Sequence, residues 1–154
     1  MDARILRFAQ MAIVDRGNGV RTTPLVSSAL GSSQLTTGIT ALQPGAEIRP
    51  HSHNCDESVC VLEGKITFEV GGERHPLSTF DATFVPEGVP HRFLNESDRP
   101  ARFLWIYTSG HVTRTFSETG QTVDIAAEGD RVVPPDSVAS PHSAVPPDGQ
   151  DGED

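Results

Sequence analysis

The chain has 154 residues and a formal net charge of −9, long enough for one domain with a sizeable core and too short for two. The acidic balance argues against a nucleic-acid or anionic-membrane partner, each of which needs a basic patch, and no apolar run approaches the roughly 20 residues of a membrane span. Two cysteines, Cys55 and Cys60, make no disulfide framework and point to a reducing cytoplasm.

The N-terminal stretch "MDARILRFAQMAIVDRG" breaks its apolar residues with Arg4, Arg7 and Gln10, so no signal peptide is expected. Its first 14 residues read as a strand or a short helix, and residues 1–19 are taken as an N-terminal arm. From Val20 onward the pattern is one of short strands. "VRTTPLVSS", "QLTTGITAL", "SVCVLEG", "KITFEV", "RHPLS", "ATFVP", "HRFLN" and "ARFLWIYTS" follow in order, rich in Val, Ile, Thr and Phe and separated by Gly, Pro, Asn and Asp. A period of two fits them better than 3.6. The Gly71-Gly72 pair between two such runs signals a hairpin. The expectation is an all-β sandwich or small barrel over 20–125. Beyond it, residues 124–154 carry eight acidic groups and one basic group, and "VVPPDSVASPHSAVPPDGQDGED" holds no aromatic residue. Such a segment cannot bury enough apolar surface to offset its ordering entropy, so residues 126–154 are expected to be a disordered tail.

One stretch, "HSHNCDESVCVLEG" at 51–64, carries chemistry. In a strand, side chains two apart share a face, so His51 and His53 project together. Glu57 follows a short turn, at the start of the next strand. In "VPEGVPHRFLN", His91 opens a strand after a turn containing Pro86, Gly88 and Pro90, and in a closed barrel it can reach the same interior. Three imidazoles and a carboxylate form a mixed N/O set suited to Fe(II), Mn(II), Ni(II), Co(II), Cu(II) or Zn(II), and less to Ca(II) or Mg(II), which prefer oxygen. Such a set leaves positions open for a chelating substrate, water or O₂.

These residues resemble a cupin. Gly45, His51, His53, Glu57 and Gly64 stand at every spacing of the first cupin motif, and Pro86, Gly88, His91 and Asn95 match the second. One position departs: Phe80, followed by Asp81, stands where the second motif opens on glycine. The motifs are separated only by residues 65–79, as in small microbial single-domain cupins. The resemblance implies a jelly-roll β-barrel (double-stranded β-helix) holding one divalent transition metal per chain on His51, His53, Glu57 and His91, with Fe(II) favoured. It also implies a small-molecule ligand and a homodimer, often formed by exchange of N-terminal strands.

Parity suggests a pocket around that centre. Val59 and Val61 share the face of Glu57, and Phe93 that of His91. Phe103, Trp105 and Tyr107 share one face of a strand that is apolar on both sides, and Trp105 and Tyr107 are candidates to line the pocket. Arg49 has the parity of His51 and could attract a carboxylate or enolate. Asn95 reads as a turn residue or a hydrogen-bond partner behind the ligands. His75, His111 and His142 read as solvated surface histidines. The function expected is that of a metal-dependent cupin enzyme acting on a small chelating carboxylate, diketone or phenol, with dioxygenase chemistry first. Lyase, decarboxylase or isomerase chemistry and a non-catalytic ligand-binding module are the alternatives.

Overall fold

The computed structural model describes residues 2–127 and 132–133. After a short 3₁₀ turn at Phe8–Gln10, the strands are β1 (Ile13–Asp15), β2 (Val20–Val26), β3 (Thr36–Leu42), β4 (Glu47–His53), β5 (Glu57–Glu63), β6 (Ile66–Val70) and β7 (Glu73–Leu77). They continue with β8 (Ala82–Val85), β9 (His91–Leu94), β10 (Ala101–Tyr107), β11 (Thr113–Phe116), β12 (Thr122–Asp124) and β13 (Val132–Val133). All the pairings are antiparallel and build two sheets, ordered β13-β1-β2-β3-β10-β5-β8 and β12-β11-β4-β9-β6-β7. This is the expected all-β jelly roll. Among the described residues no helix is long and apolar enough to cross a membrane.

The period-two reading translates directly into burial. Along β3 and β10 every second residue is buried, from Thr36 to Leu42 and from Ala101 to Tyr107. The inward faces meet in a core that includes Leu42, Val59, Val61, Ile66, Phe93 and Phe103. The Gly71-Gly72 turn joins β6 to β7, with both glycines at positive φ. Gly64 closes the first motif for a steric reason: at φ +76, an added Cβ would stand 2.7 Å from the carbonyl oxygen of Pro100.

The structure adds detail at the edges of the barrel. Sheet structure begins at Ile13, inside the stretch taken as an arm, because β1 pairs with β2. Strands β11 and β12 extend the second sheet beyond β10, where no strand was read. Within the segment expected to be disordered, Val132 and Val133 pair with Val14 and Ile13; the rest of it from 128 onward, His142 included, lies outside the described residues.

Candidate metal centre

Strands β4, β5 and β9 deliver four side chains to one point inside the barrel. His51 and His53 come from β4, Glu57 from the first position of β5 and His91 from the first position of β9. All four are buried, and one ligand atom from each lies within 4.8 Å of the others. Glu57 faces two of the imidazoles, with His53 Nε2 3.2 Å and His91 Nε2 3.0 Å from its carboxylate oxygens. The turn before β9 is tied to this point, since Gly88 N donates to the carbonyl of His53 at 2.9 Å.

The protonation state follows from the backbone. Nδ1 of His51 donates to the carbonyl of Arg49 (2.6 Å), Nδ1 of His53 to that of Thr113 (2.9 Å) and Nδ1 of His91 to that of Val89 (3.0 Å). A carbonyl only accepts, so in each neutral ring the proton sits on Nδ1 and the lone pair on Nε2. Those lone pairs converge on a carboxylate, and His53 Nε2, His91 Nε2 and Glu57 Oε1 are buried with no hydrogen-bond partner. Burial, reinforced by the charge of Arg114 and the two neighbouring imidazoles, pushes the His51 pKa well below its ordinary value and favours the neutral ring. Burial alone would raise the Glu57 carboxyl; in the metal-free chain, a proton on Nε2 of His53 or His91 would be donated to it and would hold it below the usual carboxylate range. Electron pairs gathered around a buried anion call for a cation, and backbone carbonyls that orient imidazoles from behind are the usual partners of metal-binding histidines. The residues therefore fit a divalent transition metal with three nitrogen donors and one oxygen donor.

In front of His51 and Glu57 lies a cavity of about 140 Å³. Its walls are largely apolar and aromatic: Ile48, Phe93, Phe103, Trp105 and Tyr107. The polar groups there hold one another, with Trp105 Nε1 donating to Thr40 Oγ1 at 2.9 Å and Thr40 bonded to Thr22 at 3.0 Å. Of the pocket candidates, Phe93, Trp105 and Tyr107 are among the residues lining the cavity, and Arg49, Val59, Val61 and Asn95 are not. Arg49 is exposed because β4 carries a bulge between Ile48 and His51, which breaks the alternation and turns Arg49 outward; only its carbonyl serves the site, on His51. Val59 and Val61 point inward but are wholly buried, and their cross-strand partners Trp105 and Phe103 form the wall instead. Asn95 (1% exposed) is a structural tie: its Nδ2 donates to the carbonyls of Leu42 and Arg99, and its Oδ1 accepts from the backbone and hydroxyl of Ser97.

Several wall residues had no sequence signal. Arg114 is 5% exposed on β11, opposite His53 in register, and lines the cavity together with Arg16. Arg114 stands close enough to Tyr107 to act on its phenol. Burial and the Glu57 charge raise the Tyr107 phenol far above its ordinary range, against the opposing effect of Arg114, so it stays protonated. His111 is at the cavity rim, mostly exposed, with Nδ1 3.3 Å from Asp124.

A cupin-domain family model matches residues 38–107, a span that contains all four converging side chains and both motif segments. The chain carries a cupin domain. Cupins bind a metal, and this one carries the His-His-Glu-His group described above. It is 32% identical over 91 residues to the polyketide synthase CurC of Streptomyces cyaneus, a match covering 58% of each chain. It is also 32% identical over 77 residues to quercetin 2,3-dioxygenase of Bacillus subtilis, covering 49% of this cupin and 23% of the relative. The match thus spans little more than half of the first relative and a smaller part of the second. Among solved structures, a sugar phosphate isomerase of the cupin superfamily from Silicibacter pomeroyi superposes with a TM-score of 0.60 at 28% identity, covering 82% of this chain and 87% of that one.

Proposed function

We propose that this cupin is a metal-dependent enzyme acting on a small, oxygen-rich, chelating organic substrate, an enolisable dicarbonyl or a phenol, by dioxygenase-type chemistry. The observation that carries the reading is the meeting of two features: unpartnered ligand atoms on His53, Glu57 and His91, and an aromatic-walled cavity onto which His51 and Glu57 open. His51, His53, Glu57 and His91 would hold the metal, Fe(II) first among the candidates. When bound, it supplies Lewis acidity to a chelating pair of oxygens and, if redox-active, a route for electrons to O₂. The chain does the rest. Phe93, Phe103 and Trp105 exclude water and hold a flat substrate, while Tyr107, protonated, offers a neutral hydrogen bond beside Glu57.

The two curated relatives support this substrate class. A polyketide and quercetin both present adjacent oxygens on a carbon skeleton that is readily deprotonated. The polyketide relative favours a second reading, in which the same enolate is formed without oxygen consumption, in a lyase or isomerase type of reaction. The reading includes a cytoplasmic homodimer; the exposed apolar side chains Ile5, Phe8 and Phe84 support the dimer. The test is anaerobic reconstitution with Fe(II), followed by an oxygen-electrode screen of β-diketones, phenols and small acids. Substrate-dependent oxygen uptake by the iron form is expected. Turnover without oxygen uptake would replace the first reading with the second, and no turnover with any metal would leave a ligand-binding module.

A further inference from the structure

Two threonine hydroxyls meet in the cavity wall. Thr22 on β2 and Thr40 on β3 pair across the ladder, their Oγ1 atoms are 3.0 Å apart, and both residues line the cavity. Thr40 also takes the indole N–H of Trp105 at 2.9 Å. Each hydroxyl brings one hydrogen and two lone pairs, and an indole can only donate. Trp105 therefore fills a lone pair of Thr40 and uses neither hydrogen. One hydroxyl hydrogen lies between the two threonines and the other is left over, whichever way their bond runs. Neither hydroxyl has a further partner among the described residues. Thr40 is 2% exposed and Thr22 8%. With Thr40 donating to Thr22 the deeper hydroxyl is fully satisfied, and the spare hydrogen belongs to Thr22, on the face that β2 turns inward.

We infer that the Thr22 hydroxyl donates to an acceptor oxygen of the substrate, at the end away from the metal centre. The inference rests on the proposed chelating substrate and adds a second polar group to it. Thr40 is opposite Phe103 on β10, and Glu57 is opposite Tyr107. Those two positions on β10 are four residues apart, roughly 13 Å along the strand. A single ring with chelating oxygens at one end and a carbonyl para to them spans much of that length. One ring also suits a cavity of about 140 Å³, since one of about 150 Å³ holds benzene. The aromatic wall of Phe93, Phe103 and Trp105 receives the ring between the two polar ends. A ligand that fills the cavity covers the Thr22 hydrogen. Lacking an acceptor there, it leaves a buried donor unsatisfied, which costs more than the bond contributes when made. The substrate class narrows to chelating dicarbonyls or phenols that carry a further, uncharged acceptor oxygen at the opposite end.

The probes are 3,4-dihydroxyacetophenone and 4-isopropylcatechol, which share the chelating catechol and differ in a carbonyl oxygen against a methyl group. Each is titrated calorimetrically into the full chain loaded with redox-silent Zn(II). The acetyl group also alters the acidity of the catechol, so the quantity read is the change in the ratio of the two affinities from wild type to variant. Thr22→Val keeps the shape of the side chain and removes the hydrogen. The ratio is expected to fall ~fivefold against the ketone, the worth of one neutral hydrogen bond. Thr22→Ser should keep the wild-type ratio, and metal content should be the same in all. A second reading needs no variant: in the infrared spectrum of the carbon-13-labelled ketone bound to the wild type, the C=O stretch should lie below that of its Zn(II) complex in an aprotic solvent. If Thr22→Val fails to fold by circular dichroism, this reading decides. A ratio unchanged in a folded Thr22→Val would overturn the inference, as would a C=O stretch at the aprotic value or a loaded wild type that does not bind the ketone. Failure of the wild type to load Zn(II) would instead defeat the metal-centre reading, and the same ratio measured on the unloaded chain would still decide the Thr22 donor.

Discussion

Replacing Gly38 with alanine tests how the cavity wall is held. Gly38 lies in β3 directly opposite Trp105 on β10. A Cβ added there would stand 2.2 Å from Trp105 Cζ2, 2.6 Å from Cη2 and 2.8 Å from the carbonyl oxygen of Thr23. Carbon atoms pack at about 3.5–4 Å, so the indole must withdraw by roughly 1 Å or more. Two features resist it. The indole nitrogen is bonded to Thr40, which is bonded to Thr22; and Thr23 is backbone in the β2–β3 ladder, where Thr23 pairs with Ile39. Overpacking of this kind costs ~1–3 kcal/mol. Alanine recovers ~0.5–1 kcal/mol over a glycine within a strand. The net loss is ~1–2 kcal/mol, which lowers Tm by roughly 2–8 °C for a chain of this size. Thermal melting followed by circular dichroism measures it. Trp105 is the one tryptophan of the chain, so its emission should shift as the ring is driven toward the cavity. A Tm at or above that of the wild type, with unchanged emission, would refute the packing described for this wall.

Phe80 has φ +72 and is 78% exposed. Phe80→Gly relieves a left-handed backbone worth ~1 kcal/mol and loses little burial, so after the entropy gained by the unfolded chain it should raise stability by ~0.5 kcal/mol in urea titration; a lower midpoint would mean that the ring makes a contact the fold needs. For the metal-free chain, His51 and Glu57 both have folded pKa values below their ordinary ones, 6.5 and 4.5. The unfolded chain then binds more protons, so stability is fully present above about pH 6.5 and falls as pH drops below it, first through His51 and then through Glu57; a Tm in chelator that is flat from pH 7 to 4 would contradict this. Burial pushes the Cys55 thiol up to about 11, so at pH 8 iodoacetamide should label the half-buried Cys60 well before Cys55. Peptide mapping by mass spectrometry reads the order, and faster labelling of Cys55 would show that it opens to solvent.

What the sequence made legible depended on how local the cause was. The four converging side chains were readable because each is fixed by its position near a turn: Glu57 and His91 each begin a strand, and His51 and His53 share a face across one residue. The aromatic wall of Phe93, Trp105 and Tyr107 followed from simple alternation. Arg49 was misdirected because alternation fails at a bulge, and a bulge is set by pairing with β9, which the residues of β4 alone do not disclose. Arg114 and Arg16 were missed for a similar reason. They approach the cavity through the tertiary pairing of β11 with β4 and from the end of β1, far from either motif. Phe80 shows the converse: its departure from the motif glycine was visible, and the backbone keeps the left-handed conformation that glycine favours.

The central claim is that His51, His53, Glu57 and His91 together hold one metal ion. Equilibrium dialysis of the chelator-treated chain against Zn(II) or, under anaerobic conditions, Fe(II) tests it most directly, with wild type, His53→Ala and Glu57→Gln measured side by side at pH 7.5. One ion per chain is expected for the wild type, weaker binding for Glu57→Gln, in which a neutral amide oxygen replaces the charged donor, and loss of binding for His53→Ala, with the circular dichroism of a β-barrel kept throughout. His53→Ala binding metal as tightly as the wild type, or a wild type that binds none, would contradict it.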